Sequence, residues 1–296
     1  APLTHSYFCG ASTTQIIYKT IGRYFDEMVQ DHPDNPALLV RHQGISWTYR
    51  ELQTRVDQLA TGLLALNVRP GDRVGIWGPN SSEWVLVQLA TAKVGAVMVC
   101  INPAYRLYEL EYALNKVSCS VLICDVQFKT SDYLGMITTL APELALSGQE
   151  HLQAEKLPHL QHVVRMGSEH TPGMHNFDDV CHMGGAVEVE LLQALQKQLK
   201  PDDAINIQFT SGTTGNPKGA TLSHCNILNN GFLTGLAMQL TPKDKLCVPV
   251  PLYHCFGMVM SVLACVSHGA TMVFPGPSFD PEETLRTVEE ESCTAL

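Results

Sequence analysis

The 296-residue chain is 45% hydrophobic and 16% charged, enough apolar material for a sizeable core and about two domains. Its formal net charge of -10, with no basic stripe, excludes a nucleic-acid surface built on clustered Lys and Arg. The 10 cysteines show no paired framework and read as reduced thiols of an intracellular compartment, and no apolar run reaches the roughly 18 residues of a membrane span.

In chain order, "ALLVRHQGISW" predicts two short strands joined at Gln43-Gly44. Thr48 then opens a helix, with Glu51 at capping-box spacing and Leu52, Val56, Leu59, Ala60, Leu63 and Leu64 on one apolar face. From 72 to 125 the pattern alternates: strand "RVGIW", a helix from near Ser82, strand "AVMVCIN", a helix over "LYELEYALNKV", strand "SVLICD". Strands separated by helix-length segments imply right-handed crossovers and a parallel sheet, hence an α/β fold. Residues 126 to 185 are less regular, with one strand at "HVVRM", and "AVEVELLQALQKQLK" is a helix that stops by Pro201. "INIQF" alternates as a half-buried strand should and leads directly into "TSGTTGNPKG". Beyond it come a helix over "HCNILNN" capped by Ser223, a strand "LCVPVP", an apolar helix "GMVMSVLACVSHG" and a strand "ATMVF". A helix starting at Asp280-Pro281 follows, and "CTAL" reads as the first residues of another strand.

The stretch "FTSGTTGNPKG" concentrates hydroxyls, glycines and one lysine, which suits a polyphosphate: glycine admits close backbone approach, hydroxyls donate, and Lys218 adds charge. It does not fit a Walker A loop, because Pro217 stands where the second Gly must be and Gly219 follows the Lys instead of Ser or Thr. A dinucleotide fold is also disfavoured, since "GPNSSEW" after the first strand of the parallel region lacks G-x-G-x-x-G.

"TSGTTGNPKG" resembles, throughout its length, the signature loop of the adenylate-forming superfamily of acyl-CoA synthetases, luciferase and peptide-synthetase adenylation domains. "NPAYRLYELEYAL", "INIQFTSGTTGNPKGATLSH" and "PLYHCFG" are together most similar to the mitochondrial medium-chain acyl-CoA synthetases within it. The resemblance covers nearly the whole chain, most weakly over 126 to 200. It implies the N-terminal portion of such an enzyme's large domain, with two αβ subdomains and largely parallel sheets. Residues 1–70 would begin one subdomain, 71–219 form the second and end in the phosphate loop, and 220–296 return to the first.

By the same resemblance the substrates are a fatty acid of the medium-chain class, ATP with Mg2+, and coenzyme A, and the compartment is the mitochondrion, although no transit peptide is visible in this chain. Thr210, Ser211, Gly212, Thr213, Thr214, Gly215 and Lys218 would wrap the β- and γ-phosphates, with Pro217 and Gly219 shaping the loop. Lys218 and His254 are the catalytic candidates, His254 lying beside the reacting carboxylate. Tyr253, His254, Phe256 and Gly257 would form the substrate pocket, the helix from Gly257 either lining an acyl tunnel or packing as ordinary core. Contacts to adenine, ribose and magnesium, and a small C-terminal domain, would follow Leu296, so the chain alone is expected to be inactive.

No metal site is expected. His170, His175, Cys181 and His182 cluster loosely, as do Cys247, His254, Cys255, Cys265 and His268, but neither group has C-x2-C or H-x3-H spacing. Two alternatives stay open at this level: a non-catalytic nucleotide- or acyl-binding fragment, and an adenylate-forming enzyme for another carboxylic acid.

Overall fold

A computed structural model describes residues 13–146, 151–210 and 216–296. Among them a seven-stranded sheet has the spatial order Lys218–Ser223, Ala204–Thr210, Val97–Ile101, Arg73–Trp77, Val121–Cys124, His162–Arg165, His175–Asn176. Only the outermost pair, Lys218–Ser223 with Ala204–Thr210, is antiparallel. A four-stranded sheet has the order Lys245–Cys247, Thr271–Phe274, Pro36–Val40, Ile45–Thr48, parallel except for its last pair.

The strands Val97–Ile101 and Val121–Cys124 are buried at every position, as continuous apolar runs in a helix-covered parallel sheet must be. Their side chains divide by the period of two. Val74, Ile76, Met98, Cys100, Val121 and Ile123 join a core that includes the helices Tyr49–Ala65 and Ser82–Val94 and reaches Leu38, Val40, Met272 and Phe274 of the smaller sheet. Trp77, Val97, Val99, Ile101, Leu122 and Cys124 point the other way, into a second core with the helices Leu107–Lys116 and Tyr133–Leu140. Ser82–Val94 is buried on all sides except at Glu83, so it shows almost no amphipathic stripe and lies between layers.

The Thr48–Glu51 capping box forms, and all six residues assigned to the apolar face behind it are buried. Gly44, at φ 65, closes the turn between the first two strands in the left-handed region that glycine tolerates best. The strand Ala204–Thr210 differs from its reading. It is buried from Ile205 to Gln208, because one face packs Ile207 into the second core while Asn206 and Gln208 bond inward to Met98, Cys100 and Met258. The edge strand gave no sequence signal, since its Lys-Gly-Ala-Thr start is exposed and poor in β-branched bulk. Two helices in the irregular region, Tyr133–Leu140 and Phe177–Met183, were also not foreseen. "LCVPVP" forms only the strand Lys245–Cys247, its prolines lacking the amide a ladder needs. "CTAL" contributes one parallel bridge, Ala295 to Leu246.

Candidate functional site

Four crossover loops converge on one cleft of about 400 Å3, a volume suited to a small molecule. Pro79-Asn80 follows the strand Arg73–Trp77, and Asn102-Pro103 follows Val97–Ile101. Pro249 and Pro251 follow Lys245–Cys247, and Pro277–Phe279 follows Thr271–Phe274. Each loop leaves the carboxyl end of a parallel strand, where ligands of open α/β sheets bind. Arg106, Phe128 and Tyr253 are also in the lining, with Ala104 and residues 129–131.

The loops hold one another. Asn80 donates from Nδ2 to the Val250 carbonyl at 2.9 Å, accepts from the Leu252 amide at 2.8 Å, and donates its own amide to Pro277 O at 3.0 Å. Trp77 Nε1 donates to Asn102 O at 3.1 Å, and the Tyr133 hydroxyl to Pro103 O at 2.9 Å. The Arg106 guanidinium donates to Thr130 Oγ1 at 2.9 Å on the cleft rim.

Gln208 lies opposite Cys100 in the parallel ladder, so the hairpin that follows Thr210 leaves the sheet at the same end as Asn102. Thr210 and Lys218 face each other as the last described pair of that hairpin, with Thr210 Oγ1 donating to Lys218 O at 3.4 Å. Ser211, Gly212, Thr213, Thr214 and Gly215 lie outside the described residues. Lys218 is exposed at the start of the edge strand instead of within a loop. Pro217 O accepts from the Tyr112 hydroxyl at 3.3 Å. A Cβ on Gly219 would meet Ile207 Cγ2 at 3.1 Å, a tight fit.

Of the pocket candidates, Tyr253 lines the cleft. His254 is exposed and caps the following turn, its Nδ1 accepting from the Phe256 amide at 3.2 Å. That bond uses the Nδ1 lone pair and leaves the proton on Nε2 in the neutral ring. Phe256 is 50% exposed and Gly257 is buried. Only glycine fits at 257, because a Cβ there would lie 2.4 Å from the Pro251 carbonyl oxygen. The helix beyond it packs as core: Met258, Val259, Val262 and Leu263 are buried, and its middle turn Met258–Leu263 is a π-helix.

The loosely spaced His and Cys residues do not assemble into a ligand set. His170 is exposed near Asp179, His175 is buried against His162 at 3.2 Å, and His182 turns onto its own helix at Asp178 O. Among the described residues no group of three or more His, Cys, Asp or Glu is placed to hold a metal ion. The described cysteines are free, and burial pushes the Cys100, Cys119 and Cys124 thiols up to about 12, which keeps them protonated and unreactive. Among the described residues no helix is long and apolar enough to cross a membrane. Sequence reasoning did not single out Asn80, Asn102 or Phe279. Their only signal was an Asn or an aromatic residue set among Pro just past a predicted strand.

The sequence profile of AMP-binding enzymes matches residues 25–296. The medium-chain acyl-CoA ligase ACSF2, mitochondrial, of Danio rerio is 42% identical over 294 residues, covering 99% of this chain and 48% of its own length. The acyl-CoA synthetase YngI of Bacillus subtilis is 39% identical over 282 residues, covering 95% of this chain and 51% of its own. The chain therefore spans about half the length of these relatives. Among solved structures, the anthranilate CoA ligase AuaEII in complex with anthranoyl-AMP superposes with a TM-score of 0.78 at 24% identity, over 94% of this chain and 49% of that one. The N-terminal domain of FACL13 from Mycobacterium tuberculosis gives 0.74 at 22%, over 93% and 61%. At such identities these two establish the fold, that of the N-terminal region of adenylate-forming enzymes.

Proposed function

This chain belongs to the AMP-binding enzyme family, and from that premise we propose that it is the N-terminal part of an acyl-CoA ligase that activates a medium-chain fatty acid. The reaction has two halves. A carboxylate oxygen attacks the α-phosphorus of magnesium-bound ATP, and the bond to pyrophosphate breaks. The thiol sulfur of coenzyme A then attacks the acyl carbonyl, AMP leaves, and the thiol proton is released.

One observation carries this proposal: the strand that runs into the polyphosphate motif pairs in parallel with Val97–Ile101, so Thr210 stands at the same carboxyl edge of the sheet as the Asn102-Pro103 loop, which lines the cleft together with Tyr253. Charge accumulates on the departing pyrophosphate, and donors fixed beforehand stabilise it most. Thr210, Ser211, Gly212, Thr213, Thr214, Gly215 and Lys218 supply hydroxyls, close-approaching amides and one ammonium for that role. Tyr253 and His254 border the acid, with Nε2–H of His254 available as a donor to its carboxylate. The cleft sets Pro, Phe and Tyr side chains, suited to a substrate's apolar chain, beside polar groups that include Asn80, Asn102, Arg106 and Lys129. Mg2+ enters with ATP as part of the substrate.

The medium-chain preference and the mitochondrial location rest on the name of the relatives at 42% identity. Residues 1–296 alone, spanning half of such an enzyme, are proposed to be inactive. Acid-dependent exchange of labelled pyrophosphate into ATP by the full-length protein, measured from butyrate to palmitate, tests the proposal. Exchange that peaks near octanoate supports it, and exchange driven equally well by aromatic acids would move the assignment to another carboxylic acid.

A further inference from the structure

Met258 is gripped from two directions. It opens the π-helical turn Met258–Leu263, which interrupts the helical run between Cys255–Gly257 and Ala264–His268. Single π turns inside helices concentrate at functional sites. The Met258 carbonyl accepts from Gln88 Nε2 at 3.0 Å, and its sulfur accepts from Gln208 Nε2 at 2.9 Å. Cys100 Sγ adds a second contact to the sulfur at 3.6 Å. Gln88, Gln208 and Met258 are 4%, 8% and 1% exposed, so two glutamines are buried in an apolar core and both donate from Nε2 to one residue. Burying an amide is unfavourable unless it is bonded, and apolar side chains would fill the same space without that cost.

What the contact joins gives it meaning. Gln208 shares a strand face with Thr210, two residues on, where the polyphosphate motif begins. Met258 is tied through its amide to the His254 carbonyl at 3.1 Å, one turn from the carboxylate pocket. From Thr210 to His254 the path runs through an interior strand, one buried contact and one helical turn. Gln88 anchors the same turn from the helix Ser82–Val94, between the two sheets.

We propose that Gln208 and Gln88, acting through Met258, are positioning residues that fix the separation between Thr210, where the polyphosphate motif begins, and the carboxylate pocket at His254. This rests on the function proposed above. They touch no substrate. Adenylation needs the carboxylate oxygen in line with the α-phosphorus, and a displacement of about 1 Å costs on the order of 100-fold in rate. Thioester formation takes place after pyrophosphate has gone, so it does not need this spacing.

The test uses the full-length protein with Met258→Leu, Gln208→Leu and the double variant. Each single variant should lower kcat for octanoate-dependent pyrophosphate exchange by about 10- to 100-fold with KM for ATP and octanoate little changed. Thioester formation from supplied octanoyl-adenylate should stay near wild type. The double variant should be no worse than the poorer single, because one contact is lost once. Equal loss in both half-reactions, additive losses, or unchanged kcat would overturn the proposal. A measurement on wild type needs no variant to fold: with 13C-methyl methionine, inorganic tripolyphosphate should shift the Met258 methyl resonance, assigned among the methionines, and leave exposed methionines such as Met183 unmoved. An active enzyme with a silent Met258 sinks the positioning role alone. A responsive Met258 in a protein that activates no acid sinks the functional proposal and keeps the link. A Met258 that is silent in a protein without acid activation sinks both.

Discussion

Asn80 and Leu252, 172 residues apart, meet through a 2.8 Å bond from the Leu252 amide to the Asn80 side-chain oxygen. The same side chain donates to Val250 O, so one buried asparagine clasps the loop that carries Tyr253 to the cleft. Asn80→Ala strands the Leu252 amide in the interior. It should destabilise the protein by about 1–3 kcal/mol and raise KM for the acid more than KM for ATP. Thermal melting and initial-rate kinetics check the two parts separately.

Lys218 faces Thr210 across the mouth of the hairpin, exposed where a polyphosphate would arrive. Lys218→Ala should slow adenylation by about 100- to 1,000-fold, in the range seen when one preorganised donor to developing charge is removed. Thioester formation from supplied acyl-adenylate should hardly change. Comparable loss in both halves would remove Lys218 from the phosphate site.

His254 caps the turn that follows it, so His254→Ala should cost about 1 kcal/mol of stability through the lost cap. If it also borders the carboxylate, productive use of octanoate should fall while ATP binding is unchanged. His254→Asn retains a capping side chain and separates the effects: restored melting temperature with impaired octanoate kinetics assigns His254 to the pocket. Wild-type kinetics for every acid would exclude it.

Stability should fall with acid through a defined window. Burial lowers the His224 ring from 6.5 to about 4, and burial followed by the neighbouring His175 and His151 does the same for His162. Between those values the unfolded chain binds protons that the folded chain refuses, so stability is full above pH 6.5 and declines toward pH 4. His224 Nδ1 already accepts the Ile21 amide at 3.2 Å, which leaves no place for a second ring proton. Each such proton contributes a slope of about 1.4 kcal/mol per pH unit. Denaturant midpoints from pH 7.5 to 4.5 should show the decline, and His224→Gln should flatten it. A midpoint independent of pH would contradict the assignment.

The alternating strands and helices from 72 to 125 were legible because a parallel sheet buried on both faces writes continuous apolar runs into its sequence. The Thr48–Glu51 box was legible because a cap is local. The Gly- and Thr-rich motif from Thr210 stood out in the sequence, yet the strand that follows it did not. The exposed strand from Lys218 lacks bulk, and the buried Asn206 and Gln208 mimic the polar face of a half-exposed strand. Their partners, Met98 O, Cys100 Sγ and Met258 Sδ, are more than 40 residues distant and no local pattern announces them. Asn80 was hidden for the same reason, its partners lying on a loop that follows a strand of the other sheet.

Direct detection of the acyl-adenylate tests the central claim most sharply. The full-length protein incubated with octanoate and magnesium-ATP, without coenzyme A, should accumulate enzyme-bound octanoyl-AMP and release pyrophosphate in matching amount, and adding coenzyme A should convert it to octanoyl-CoA and AMP. Formation of ADP and inorganic phosphate instead, or pyrophosphate release that ignores the acid, would contradict it.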